Sequence, residues 1–397
     1  MAEADFNKAV DEWIERKSKQ VGQVIKPGVE SWSMQVEVGL FGNIFHEFIT
    51  TDTIRHYAAA MGDKNPLWRN NDYASKTAWG GIIALPTFTD CIGASWAGRS
   101  MIKEEHFRVE GEPSGPKRQW FGVIRPGDRF RIADKYLGLK EIVPKQPMPY
   151  RIFVSTIQRS FINQRDETVA VADCRNMTFT VPSGLKPTAL FPGANRKRRK
   201  LTDKEREDIY RRYEGLKIRG AEPLYWEDVA VGDEIKPLVL GPVSTWDVAA
   251  FFTAVGGETA AFDILWDELR VNIDTVFLDN EVNAWKCPGE GHFCDNTGLA
   301  AAYTGGPGVA PGPQIDGLIC RSICNWMGDD GFLKVLDTQY RNLPFLGDVY
   351  VIKGKVTNKS TEGDEHLVDL DASCENMDGL LLVRGSAKVR LPSRTQS

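Results

Sequence analysis

The sequence predicts an α+β protein in which one unit, helices packed on an antiparallel sheet, is used twice. Three observations carry this expectation. A short stretch recurs, with Val21-Gly22-Gln23-Val24-Ile25-Lys26-Pro27 returning as Val231-Gly232-Asp233-Glu234-Ile235-Lys236-Pro237. Each copy is followed by a helix-like run ending in glycine, Thr53 to Gly62 and Asp247 to Gly256. Aligned on those glycines, Ile54 falls on Val248, Tyr57 on Phe251 and Ala60 on Ala254, so the apolar face repeats as well as the length.

Later landmarks return in the same order. Gly80-Gly81-Ile82-Ile83-Ala84 has its counterpart in Gly305-Gly306-Pro307-Gly308-Val309-Ala310. A second helix-like segment follows each, near Thr87 to Trp96 and near Leu318 to Trp326. Gly-Asp then opens a strand in each half, at Gly127-Asp128 and Gly347-Asp348. The first half closes with strand-like runs at Phe130 to Leu139, Ile152 to Ile162 and Thr168 to Phe179. The second closes with Tyr350 to Val356, His366 to Ala372 and Leu380 to Leu391. Their partial apolar and polar alternation is what a half-buried antiparallel sheet requires.

Ahead of the first unit, Phe6, Val10, Trp13, Ile14 and Val21 recur at helical spacing, which predicts an amphipathic helix rather than a signal peptide. Between the units lies a Pro- and Gly-containing stretch with the basic run Arg196-Lys197-Arg198-Arg199-Lys200. A helix follows it, with Thr202 as N-cap and Glu205 as its box partner. The expected division is residues 1–181, a linker at 182–223, and residues 224–397.

Composition bounds the function. At 42% hydrophobic and 26% charged residues, the 397-residue chain is an ordinary globular one with room for a substantial core. A net charge of -5 argues against a nucleic-acid partner. No apolar stretch approaches the ~18 residues of a membrane span. Seven scattered cysteines without a paired framework suit reduced thiols in the cytoplasm. Neither Cys287/Cys294 nor Cys320/Cys324 has metal-site spacing, so no metal is expected. There is no P-loop and no Rossmann fingerprint, so no cofactor is expected either.

The residues that carry chemistry begin at Gly62-Asp63-Lys64-Asn65-Pro66-Leu67-Trp68, with Ala74 six residues on and Gly80-Gly81-Ile82-Ile83-Ala84-Leu85-Pro86 downstream. This pattern resembles the signature of MaoC-like acyl-CoA dehydratases and (R)-specific enoyl-CoA hydratases, and the resemblance runs from about Val21 to Pro392. It implies a tandem, or double, hot-dog fold, each half a long helix wrapped by an antiparallel sheet. It also implies addition or removal of water at an α,β-unsaturated acyl-CoA thioester. That reaction needs a base for the water, a proton donor at carbon 2, and hydrogen-bond donors at the thioester oxygen. In the family an aspartate and a histidine share the water.

The chain departs from that pattern where the chemistry lies. Trp68 stands at the histidine position of the first half, and tryptophan is neither acid nor base at neutral pH. In the second half the aspartate position aligns with Gly257, while His292 stands shortly before the Gly-Gly landmark, in His292-Phe293-Cys294-Asp295. Each half therefore keeps one member of the dyad. The resemblance makes His292, Gly317, Asp295 and Asp63 the candidate catalytic residues, with Gly317 heading the buried helix and offering its N–H to the oxyanion. Asp263 is an alternative carboxylate partner for His292. Asn65, Trp68, Gly81 and Pro86 are candidates for shaping the substrate pocket. Bland readings stand beside these: Asp63 and Asn65-Pro66 also suit a capped turn, and His292 a hydrogen-bonded loop residue. His56 reads as packing or surface. The basic run reads as a solvated patch or as a seat for the phosphates of coenzyme A. The rival functions are a catalytically incomplete acyl-CoA-binding subunit of a heteromeric hydratase and a thioesterase; further assembly, as a homodimer or with a related hot-dog subunit, is optional because the fusion already supplies two units.

Overall fold

The computed structural model describes residues 3–25, 46, 48–95, 100–183, 185, 196, 199–256, 277–279, 284–286 and 308–395. The first helix, α1 (Glu3–Ser18), lays Phe6, Val10 and Trp13 on Phe107, Val109 and Phe153 as a satellite core. Trp13 meets Phe107 and Phe153 edge-on. Val21, past the helix end, is exposed. The first unit then runs β1 (Val24–Ile25), α2 (Thr51–Ala60), β2 (Ser100–Lys103), β3 (Phe107–Pro113), β4 (Lys117–Trp120), β5 (Phe130–Ile142), β6 (Arg151–Asn163) and β7 (Thr168–Pro182). Between α2 and β2 the described residues form short turns: a 3-10 turn Pro66–Trp68, α3 (Asn71–Ala74), a 3-10 turn Pro86–Phe88, and α4 (Thr89–Ile92). The linker helix α5 (Asp203–Glu214) leads to β8 (Glu234–Leu240) and α6 (Thr245–Val255). After the short hairpin β9 (Phe277–Asp279) and β10 (Ala284–Lys286) come α7 (Gly312–Met327), β11 (Phe332–Tyr340), β12 (Tyr350–Glu362), β13 (Glu365–Asn376) and β14 (Leu381–Leu391).

Apart from the β9–β10 hairpin, which forms its own two-stranded sheet, the described strands join in one antiparallel sheet of order β1-β5-β6-β7-β4-β11-β14-β13-β12-β8, with β3 also on β7 and β2 on β3. The order reads the same from either end once each strand is replaced by its repeat mate, and β4 meets β11 at the centre. The repeat persists in single hydrogen bonds. Gly22 donates to Tyr136 at 2.8 Å and Gly232 to Val356 at 2.9 Å, each glycine at positive φ. Ala84 donates to Ile124 and Ala310 to Pro344, both at 2.9 Å. Capping boxes start α2 at Thr50 and Thr53, and α6 at Ser244 and Asp247. Gly62 and Gly256, after those helices, both take the left-handed conformation that favours glycine.

The two wrapped helices are unequal. In the second half α7 is 16 residues long, starts at Gly312, and is buried on nearly every face, as a helix between sheet and partner must be. In the first half the described helix is α4, a single turn after Pro86–Phe88, ending at Gly93 in an extended conformation. The described part of the linker is held to the second unit. The capping box at Thr202 and Glu205 is present, and Ile209 packs with Val239 and Val349. In the basic run Arg196 pairs with Asp348, and Arg199 with Glu205 and Asp378, so these two guanidinium groups hold the linker to the second unit.

Candidate functional site

The turn Gly62 to Trp68 folds around its own side chains. Asp63 Oδ1 accepts from Asn65 N at 2.9 Å, and Asn65 Oδ1 accepts from Leu67 N at 2.9 Å, two Asx turns in succession closed by Pro66 at the first position of the 3-10 turn. Trp68 Nε1 donates to Asp63 Oδ2 at 3.1 Å. The indole therefore lies directly against the carboxylate from the position where the resembled pattern has histidine. Asp63, Asn65, Leu67 and Trp68 are all buried. Burial holds the Asp63 carboxyl above the usual carboxylate range, against the opposing pull of the Asn65 N–H, Arg321 and the Trp68 N–H.

The turn is clamped to the C-terminal end of α7, from the other half. Arg321 Nη1 donates to Met61 O at 2.9 Å. Asp329, just past the helix, receives Asn65 Nδ2 at 2.8 Å and the Tyr73 hydroxyl at 2.6 Å, and its carbonyl accepts Trp79 Nε1 at 2.6 Å. Burial and Asp329 push the Tyr73 hydroxyl up to about 12. Burial pulls the Arg321 guanidinium down, and Asp63 opposes it. Sequence reasoning missed Arg321 and Asp329. The signal for Arg321 was a lone charge on an otherwise apolar helix face; for Asp329 there was no local signal, because its partners are hundreds of residues away.

Asp63 and Trp68 lie between two spaces. One is a cleft of about 640 Å3, with Asp63, Arg321, Ser322 and Asn325 lining it from the motif and α7, and α5 with its following loop on the opposite side. Its volume lies within the range of small-molecule sites. The other is an apolar cavity of about 30 Å3, lined by Trp68, Trp79, Pro86, Trp120, Phe332 and Leu333 among others. That is room for a water or two, not for an acyl chain.

Of the expected site residues, the structure brings together Asp63, Asn65, Trp68 and Pro86. Gly81 lies in the loop before Pro86, with open space where a side chain would begin. Gly317 requires a correction. The helix begins at Gly312, so Gly317 lies one turn inside it, where its N–H belongs to the helical ladder rather than to a free helix head. A side chain there would meet Met61 Sδ at 2.3 Å and the Tyr57 hydroxyl at 3.1 Å, so this glycine serves close packing of α7 on α2. His292, Asp295, Asp263 and Gly257 lie outside the described residues. Among the described residues no cluster of metal-ligating side chains is present. No helix among them is long and apolar enough to cross a membrane. The five described cysteines are buried and free, with Cys320 Sγ and Cys324 Sγ 3.9 Å apart.

A second polar centre lies in the core between the halves. Arg118 of β4, fully buried, donates to Asp90 of α4 at 2.9 Å and to Asp316 of α7 at 3.0 Å, and the Tyr340 hydroxyl donates to Asp316 at 2.8 Å. Burial alone would lower the Arg118 guanidinium, but the two carboxylates raise it.

Comparisons with known proteins agree with this architecture. Residues 38–171, which include the whole Asp63 turn, match the family model described as FAS1-like, dehydratase domain region. No curated protein matches the chain in sequence. Among solved structures, a MaoC-like dehydratase superposes with a TM-score of 0.55 at 15% identity, over 87% of this chain and 95% of its own. A MaoC domain protein dehydratase from Chloroflexus aurantiacus gives 0.53 at 12%, over 94% and 96%. A Mycobacterium tuberculosis protein described as a double hotdog fold gives 0.50 at 10%, over 87% and 92%. At these identities the likeness is one of fold. The chain thus has the double hot-dog fold of these proteins, and its residues 38–171 resemble a FAS1-like dehydratase region.

Proposed function

We propose that the chain adds or removes water at an α,β-unsaturated acyl-CoA thioester. One observation carries this reading: a buried carboxyl, Asp63, lies at the wall of a ligand-sized cleft beside the guanidinium of Arg321. A carboxyl held above its ordinary range by burial is suited to take a proton from water and to return one to carbon 2. The Arg321 guanidinium is suited to the thioester oxygen, where enolate charge gathers. His292, with Asp295 near it in sequence, is the imidazole we assign to the same reaction. Trp68 cannot exchange protons, so the first half depends on a second proton-transfer group from elsewhere.

The test is the absorbance of the conjugated enoyl thioester when the purified chain meets crotonyl-CoA or a longer enoyl-CoA, with a parallel assay for free thiol. Loss of the band without thiol release is expected, and Asp63→Asn and His292→Ala should each abolish it while the fold persists. Unchanged kinetics in both variants would sink the assignment. Thiol release would make the chain a thioesterase. The Asp63–Trp68 hydrogen bond favours a second reading, an acyl-CoA-binding subunit that awaits a catalytic partner. In that case the chain alone binds acyl-CoA without turnover.

A further inference from the structure

The 640 Å3 cleft has a wall that belongs to neither hot-dog unit. α5 and the loop after it contribute Arg211, Arg212, Lys217 and Arg219, β8 contributes Lys236, and α7 contributes Arg321. Three carboxylates, Asp63, Asp208 and Glu222, face these six cations, so the lining carries an excess of positive charge in a chain that is acidic overall. The excess is concentrated on particular side chains. Arg211 pairs with Asp208, and Arg219 lies 4.0 Å from Glu222. Arg212, Lys217 and Lys236 make no ion pair among the described residues; Lys236 Nζ donates only to the Gly215 carbonyl, at 3.4 Å.

The wall is held in place from behind. Asn325 of α7 accepts from Arg219 N at 2.8 Å and donates to Lys217 O at 2.9 Å, which pins the loop across the cleft floor. The Tyr213 hydroxyl accepts from Gly241 N at 2.8 Å, and Ile209 anchors the helix in the second unit. Holding the backbone that bears these cations around a concavity brings like charges together, which an anionic ligand relieves on binding.

We infer that the linker-built wall, together with Lys236 of β8 beside it, is an anion site for the phosphate-bearing end of the ligand, with Arg212, Lys217 and Lys236 on the phosphoryl oxygens and the opposite end of the ligand directed to Asp63 and Arg321. The inference rests on the reading above only for the name of the ligand, coenzyme A. A plain nucleoside diphosphate shares the chemistry that the cations recognise. It moves the phosphate contact from the Arg196 to Lys200 run, whose Arg196 and Arg199 are held in ion pairs, to a different part of the linker.

The experiment is calorimetric titration of the full chain with coenzyme A, ADP and pantetheine at two salt concentrations. The wild-type chain is compared with Arg212→Glu/Lys217→Glu and with Arg206→Glu. Arg206 lies on the same helix but pairs with Asp203 outside the cleft, so its variant controls for charge and folding. Coenzyme A should bind with a salt-sensitive affinity, pantetheine far more weakly, and the double variant should lose about tenfold or more while the control does not. ADP binding as tightly as coenzyme A would make the site one for nucleoside diphosphates in general and still uphold the anion site. Equal affinity of wild type and double variant, equal binding of pantetheine, or no binding of any phosphate-bearing probe would overturn it. The two proposals fail separately. Salt-sensitive binding without enoyl turnover defeats the hydratase reading alone. Turnover with an unchanged KM in the double variant defeats the linker site alone.

Discussion

Asp90 and Asp316 occupy the same place in the two repeats and share one guanidinium. Each lies six residues after the alanine, Ala84 or Ala310, whose N–H closes the same loop in its own half. Arg118 reaches both from β4, the strand that pairs with β11 where the halves meet. Repetition thus brings two like charges to the centre of the molecule, and a single unrepeated arginine between them makes that tolerable. Burial still raises the Asp316 carboxyl, with Arg118 and the Tyr340 hydroxyl opposing the rise.

Arg118→Met is therefore expected to destabilise the fold by about 3–5 kcal/mol, because it leaves two carboxylates buried without a counter-charge. Urea denaturation measures it. Adding Asp90→Asn and Asp316→Asn to that variant should recover part of the loss. A single variant as stable as the wild type would mean that the carboxylates are neutral without the arginine.

Gly317 offers a sharper test of packing. Its substitution by alanine places a methyl 2.3 Å from Met61 Sδ and 3.1 Å from the Tyr57 hydroxyl. Overpacking of this kind costs about 1–3 kcal/mol, toward the lower end here because the methionine tip can turn away. Met61→Ala in the same chain should relieve it, and a double-mutant cycle should return a coupling of about 0.5–3 kcal/mol. Additive losses would mean that the two residues do not meet.

Much of the architecture was legible because it is written twice. The glycines at 22 and 232, 62 and 256, and 127 and 347 recur because the same positive-φ turns recur, and only glycine enters them without strain. The start of α7 was not legible. Pro311-Gly312-Pro313 reads as a breaker, yet Pro313 in the first turn lacks only an N–H that would have had no helical partner, so the helix begins six residues ahead of the Leu318 expected from its apolar pattern. The site was half legible. Asp63, Asn65 and Trp68 make local contacts at fixed spacing, whereas Arg321 and Asp329 reach them only through the packing of one repeat on the other.

Trp68→His would restore an imidazole beside Asp63. Replacing a buried indole with a smaller ring leaves a cavity and should cost about 2–4 kcal/mol, a loss readable as a lower urea midpoint. If the tryptophan is what silences the first half, enoyl-CoA hydration should rise despite that loss, and the small apolar cavity beside residue 68 should admit a longer acyl chain. A destabilised variant with unaltered turnover and chain-length preference would place the chemistry wholly elsewhere.

The protonation of Asp63 has a sign that can be checked. Its folded carboxyl holds a proton more tightly than the ordinary 3.8, because burial disfavours the charge. Above 3.8 the folded chain therefore binds more protons at this site than the unfolded chain. Its contribution to stability falls as pH rises through the folded value, and is regained on acidification. Asp63→Asn removes that dependence and leaves the other titrating groups in place. The melting-temperature difference, wild type minus variant, should accordingly grow in favour of the wild type as pH is lowered from 8 toward about 4. A difference that shrinks over that range would mean a carboxylate held below its ordinary value by Arg321, with the ion pair prevailing over burial.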